Sequence, residues 1–231
     1  MYNNDIFTPD AINIFTDASI KKLNSGETIG CAGCILVFGE LIDKNIQEDY
    51  QIIRNTTSNN SEIKAIRLGI QNVLKYKTQY RKIRLFSDSQ ISIFGIRDRI
   101  FNWKYINGTY IGTEGTPIKN QDIFLEIVYT ILENNLNIEF YHQKGHVTYT
   151  PRSINDAMHV FIASNNIREY IDPNFIKQIS IFNNMVDNNS RNYLDNFIPS
   201  NEYLEPLYFK SALFNKRQYL NLIRRKDNYY E

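Results

Sequence analysis

Apolar positions along the chain come in short continuous runs and in helical stripes, and the two alternate. Ile12 to Ser19 (INIFTDAS) and Ile29 to Phe38 are compact apolar runs of strand length. A third strand is expected within 40–54. The short turn around Phe38, Gly39 and Glu40 makes the three an antiparallel meander. Ile63, Ile66, Ile70, Val73 and Leu74 then recur at helical spacing, with Asn59 as expected N-cap and Glu62 three residues later in capping-box position. Lys82 to Ser87 reads as a fourth strand, followed by a helix to about Ile100. Residues 101–116 have no period and read as an irregular loop. Ile123, Phe124, Ile127, Val128, Ile131 and Leu132 mark the next helix, and Leu136 to His142 the fifth strand. Arg152 to Asn165 closes the series as a helix with its stripe at Ile154, Ala157, Met158, Phe161 and Ile162.

The order β-β-β-α-β-α-α-β-α predicts an α/β fold with a five-stranded mixed sheet, complete near Asn165. Residues 166–231 read as polar and aromatic helices. Two units are therefore expected, 1–165 and a helical C-terminal extension, 166–231.

Composition sharpens this only in places. A formal net charge of +1 removes any global electrostatic case for binding a polyanion, so such binding must be local. One local patch exists: from Leu207 to Glu231, Lys210, Lys216, Arg217, Arg224, Arg225 and Lys226 face only Asp227 and Glu231. Basic residues among Tyr and Phe suit nucleic-acid contact, and a docked, solvated helix suits them equally. Cys31 and Cys34 have C-x-x-C spacing but lie in a strand, where residues three apart face opposite ways, so both read as small buried apolar residues. No apolar run approaches a membrane span, and MYNNDIFTPD lacks a basic-then-apolar leader; a soluble, cytoplasmic protein is expected.

Four acids carry the candidate chemistry. Asp17 sits within an apolar strand, Glu62 at a helix start, Asp88 at the carboxyl end of a strand, and Asp156 in the first turn of a helix. Each has an ordinary explanation: a turn residue, a capping-box partner, an N-cap, a residue favouring the helix dipole. Together they can converge at one end of a mixed sheet. Crowded carboxylates repel, and divalent cations relieve them; Mg²⁺ prefers oxygen ligands and keeps several waters. Two such ions roughly 3.5–4 Å apart stabilise both oxygens of an in-line phosphoryl displacement. Mg²⁺-dependent phosphodiester chemistry follows as the expectation, with Mn²⁺ as a substitute.

On FTDAS with GCAGCILV behind it, Thr57 to Glu62 (TSNNSE), FSDSQ at Phe86 to Gln90, NWK followed by PIKNQD within Asn102 to Asp122, and KGH at Lys144 to His146, the chain resembles the type 1 ribonuclease H family. His146 precedes Asp156 by the family's spacing, and the likeness runs through about residues 10–165. It implies a ribonuclease H-like fold and a two-metal endonuclease that cuts the RNA strand of RNA–DNA hybrids, leaving 3′-hydroxyl and 5′-phosphate ends. It implies that Asp17 bridges both ions, Glu62 and Asp88 hold the one nearer the leaving group, and Asp156 holds the other. His146 takes the place of a loop histidine that aids turnover. Asn59 matches a minor-groove contact, Gln90 lies beside another, and Trp103 and Lys104 fall in a protrusion that grips the DNA strand. The chain departs from the pattern in two places. The protrusion is usually dense in lysine, and the Asn and Glu common before the last acid are replaced by Arg152 and Ser153.

A junction resolvase or integrase, and a non-catalytic nucleic-acid-binding module, are the competing readings. The KGH and NWK segments oppose the first, and the full set of acids opposes the second. A replication protein is a candidate partner for the extension.

Overall fold

The computed structural model describes residues 7–39, 45–197 and 216–223. Strands β1 (Ala11–Lys22), β2 (Thr28–Phe38) and β3 (Ile46–Arg54) form the expected antiparallel meander, followed by helix α1 (Ser58–Val73). Next come β4 (Lys82–Ser87), α2 (Gln90–Arg97), β5 (Lys104–Ile106), β6 (Thr109–Ile111), α3 (Gln121–Glu133) and β7 (Ile138–His142). Helices α4 (Pro151–Ser164), α5 (Pro173–Asp195) and α6 (Lys216–Leu222) complete the described chain. The main sheet has the order β3-β2-β1-β4-β7, with β4 parallel to both β1 and β7.

Alternation along the strands supplies two cores, one on each face. Ile12, Ile14, Leu36 and Leu85 meet the apolar stripes of α1, α2 and α3. On the other face, Phe15, Phe86 and Tyr141 stand in register on β1, β4 and β7 and stack in sequence, with centroids 5.0 and 5.2 Å apart. Phe182 of α5 stacks on Phe15 at 4.9 Å.

That contact crosses the expected division at 165. Phe175, Ile176, Ile179, Phe182 and Val186 recur at helical spacing along α5 and are buried in the same core as Phe15, Ile35 and Val37. Fully burying one such side chain stabilises by roughly 1.5–3 kcal/mol, so α5 is integral to the sheet domain. Pro173 at its first turn and Asp172, which accepts a hydrogen bond from the Asn174 N–H, set its start.

Residues 101–116 are also more ordered than expected. A short helical turn at Arg99–Asn102 leads into the β5–β6 hairpin, whose turn is Asn107-Gly108 with φ of 48° and 86°. Both residues tolerate the left-handed conformation that a two-residue hairpin turn needs. Trp103 is buried edge-on against Phe124, 5.2 Å between centroids. Helix α6 closes over this segment: Tyr219, fully buried, joins the α1–α3 core, and the Lys216 ammonium donates to the carbonyls of Phe101 and Trp103, each at 2.9 Å. Of the basic tail residues, Lys210, Arg224, Arg225 and Lys226 lie outside the described residues.

The outer edge of β7 is covered by side chains. Asn165, just past α4, accepts from the His142 N–H at 3.0 Å and donates to its carbonyl at 2.7 Å. Arg97 donates to the Phe140 carbonyl and to Asn165 Oδ1, at 3.2 and 2.7 Å.

Candidate active site

The parallel pairing of β1 with β4 sets Thr16 opposite Ser87, so Asp17 and Asp88 follow at the same level of the sheet. Glu62 reaches them from α1. Its helix starts at Ser58 with Thr57 as N-cap, accepting from the Asn60 N–H at 3.3 Å, so the expected Asn59 cap and its capping box do not form. Glu62 lies beyond the first turn, its side chain free of any capping role. One ligand oxygen from each of Asp17, Glu62 and Asp88 lies within 4.8 Å of the others.

These carboxylates are crowded and poorly solvated. Burial, then the charge of Asp88, pushes the Asp17 carboxyl up to about 8. Burial, then Asp17 and Asp88, raises Glu62 well above the ordinary range. Burial raises Asp88 too, opposed by a hydrogen bond from Asn183. Glu62 Oε2 is buried with no hydrogen-bond partner among the described residues. An oxygen left in that state is destabilising unless a proton or a cation meets it. The donor set, all oxygen and all acidic, suits a hard divalent cation.

One stripe of α5 runs at four-residue spacing through Asn183, Asp187, Arg191 and Asp195; the last three line the cleft, and Asn183 is buried. Asn183 Nδ2 stands 3.5 Å from Asp88 Oδ2, and its own carbonyl accepts from buried Gln143 at 2.7 Å. Asp187, 8% exposed, faces His146, with Nδ1 to Oδ2 3.4 Å, and accepts from Arg191 Nη2 at 2.9 and 3.3 Å. Asp195 pairs with Lys21 of β1 at 2.9 Å. Asn184 donates to the Val147 carbonyl and the Tyr149 hydroxyl, both at 2.8 Å, tying down the loop that carries His146. The loop also lies against Asp88, where a Cβ at position 145 would force the carboxylate to move. From the other side His142 Nε2 lies 3.2 Å from the Asp88 carbonyl oxygen. The cleft has a volume of about 510 Å³, and its lining includes Asp17, Glu62, Asp88, His146, Asp187 and Arg191.

The structure thus brings together Asp17, Glu62, Asp88 and His146 among the predicted residues, and leaves Asp156 out. Asp156 sits on α4, half exposed, 3.9 Å from Lys144, and does not line the cleft. The reason is packing: the stripe of α4 faces β7 and α5, and Asp156 lies off that stripe. Asn59 and Gln90 are exposed at the first turns of α1 and α2, and Lys104 is exposed on the hairpin. Trp103 is buried against Tyr110 and Phe124. Asp187, Asn183 and Gln143 were not anticipated. A signal for the first two exists: Asn183 and Asn184 precede Asp187 at the spacing that Arg152 and Ser153 keep from Asp156.

The RNase H family model matches residues 9–158, a stretch that ends within α4. A ribonuclease H of Actinobacillus succinogenes is 31% identical over 147 residues, covering 64% of this chain and 86% of that protein. One from Clostridium botulinum is 27% identical over 134 residues, covering 58% and 82%. Among solved structures, LC11-RNase H1 in complex with RNA/DNA hybrid matches 58% of this chain and 85% of its own, at 15% identity and TM-score 0.42. A foamy viral protease-reverse transcriptase, also with RNA/DNA hybrid, matches 71% of this chain and 21% of its own, at 11% identity and TM-score 0.49.

Proposed function

The chain belongs to the ribonuclease H family, and on that premise we propose that it cuts the RNA strand of RNA–DNA hybrids as a divalent-metal-dependent endonuclease. The observation that carries this reading is the convergence of Asp17, Glu62 and Asp88 on one point at the end of the sheet. We assign the fourth acid of the set to Asp187, which enters the same cleft from α5, and not to Asp156.

Asp17, Glu62, Asp88 and Asp187 would hold two Mg²⁺ ions, which neutralise phosphate charge and stabilise the attacking and leaving oxygens of an in-line displacement that leaves 3′-hydroxyl and 5′-phosphate ends. Asp17 reaches the site from β1, the central strand of the sheet, and would be one of the residues that hold them. Asn183 fixes the rotamer of Asp88 through its amide, and Gln143 fixes Asn183. Such outer contacts orient ligands before metal arrives. We assign product departure to His146, which is exposed with Nδ1 against Asp187. The Asn59 and Gln90 side chains, at the mouths of α1 and α2, are assigned to the hybrid's minor groove, where RNA 2′-hydroxyls distinguish the strands.

The test is gel-resolved cleavage of end-labelled hybrid, double-stranded RNA and double-stranded DNA with Mg²⁺, with the product ends identified. Wild type should cut only the hybrid's RNA strand, and Asp17→Asn should cut nothing. Equal cutting of all three duplexes, or full cleavage by Asp17→Asn, removes the case.

A further inference from the structure

We propose that Arg191 is a phosphate-binding residue of the cleft, parked on Asp187 in the metal-free enzyme and released to the RNA backbone when that carboxylate takes up metal. This rests on the preceding reading and adds to it how an acidic cleft captures an anion.

The cleft has a charge problem. Asp17, Glu62, Asp88, Asp187 and Asp195 all line it, against Lys21, His146 and Arg191 as the basic residues of its wall. A phosphodiester entering such a site needs cationic partners beyond the ions, yet each basic group is already tied to an acid. Lys21 is held by Asp195, and His146 and Arg191 share Asp187.

The Arg191 pairing is lopsided in a way that favours transfer. Asp187 is nearly buried, its side chain 11% exposed, whereas the Arg191 side chain is 57% exposed. Both contacts to Asp187 use Nη2 alone, so Nη1 and Nε have no partner among the described residues. A guanidinium offers five donors in a planar fork suited to phosphate, and a single-nitrogen contact uses little of it. The Arg191 end of the pair is open to water, which solvates the guanidinium as it leaves Asp187. A metal ion taking Asp187 leaves the guanidinium in the cleft with no counter-charge. The next anion available is the substrate's backbone, and metal uptake and phosphate capture become linked.

The experiment isolates this link without metal or turnover. Binding of a fluorescent RNA–DNA hybrid to the full chain is measured in EDTA across a salt series, for wild type, Asp187→Asn, Arg191→Gln and the double variant. Asp187→Asn removes the parking site. It should tighten binding severalfold and steepen the salt slope by about 0.9, the value of one added phosphate contact. The double variant should lose that gain in slope, and Asp187→Asn with Arg191→Lys should keep most of it. Arg191→Gln alone should leave the metal-free slope close to wild type. If Asp187→Asn leaves the slope unchanged, or the double variant keeps the gain, Arg191 does not bind phosphate and serves only to orient Asp187. A wild-type chain that fails to cut hybrid would defeat the preceding reading instead, while these binding slopes would still decide the role of Arg191.

Discussion

His146 Nδ1 stands 3.4 Å from Asp187 Oδ2, across a cleft wall built from the loop after β7 and the middle of α5. The histidine thereby meets an acid from the second helix after its loop, not from the first. Assigning it to product departure gives a defined expectation. His146→Ala should lower kcat by roughly tenfold or more while the Mg²⁺ concentration for half-maximal rate stays near wild type. A large rise in that concentration at unchanged kcat would make His146 a contributor to metal binding instead.

Asp187 and Asp156 should separate cleanly. Asp187→Asn is expected to reduce cleavage on the order of 10–100-fold or beyond. Asp156→Asn, on an exposed helix position, should stay within about twofold of wild type. Steady-state kinetics on one labelled hybrid compares them, and loss of activity in Asp156→Asn alone would reverse the assignment.

Asn183 acts through Asp88, so its removal should act on metal affinity before chemistry. Asn183→Leu should raise the half-saturating Mg²⁺ roughly 10–100-fold, with much of kcat recovered at saturating metal. Asn183→Asp should be worse, because it adds a charge beside carboxylates that already repel. A Mg²⁺ titration of both variants is the measurement.

The pH dependence of the metal-free protein has a fixed sign. Asp17 is raised from 3.8 to about 8, with Glu62 and Asp88 raised alongside it. The folded state therefore holds protons that the unfolded chain releases near pH 4. The stability contributed by these protons is full below that pH and is lost as pH rises through the folded value. In EDTA the melting temperature should fall between pH 5 and pH 8. Asp17→Asn should flatten the fall, and Mg²⁺ at pH 8 should raise the melting temperature by binding only the folded state. A melting temperature that climbs with pH in EDTA would contradict the buried cluster.

Tyr219 tests the C-terminal helix. Its ring is fully buried and its hydroxyl lies 3.3 Å from the Ile96 carbonyl oxygen. Tyr219→Ala should cost about 3–5 kcal/mol in urea unfolding. Lys216→Met should loosen the Trp103 segment, read as a change in tryptophan emission, since Trp103 is the only tryptophan.

The strands and the first three acids were legible because each is written locally. Asp17 interrupts an apolar strand, Asp88 ends one, and Glu62 sits on a helix with a clear period. The β5–β6 hairpin was legible in principle through Asn107-Gly108, but its strands are three residues each and show no alternation. Asp187 was not legible in the same way. A helix lies between the histidine loop and the acid, and family spacing taken alone selects Asp156. What distinguishes the two is which helix packs over Phe15 and Ile35, a long-range contact that no short window contains. The weak points of the likeness, Arg152 and Ser153, lie on the helix whose acid stands outside the cleft.

Asn165 gives the sheet a property beyond catalysis. An open edge strand is a template on which another chain can add a strand. At the catalytic end of β7 that template is used up: Asn165 saturates both outward groups of His142, and Arg97 takes the Phe140 carbonyl. The helix between the histidine loop and α5 thus ends in a plug against self-association, on the side of the molecule where a nuclease must stay open to its duplex.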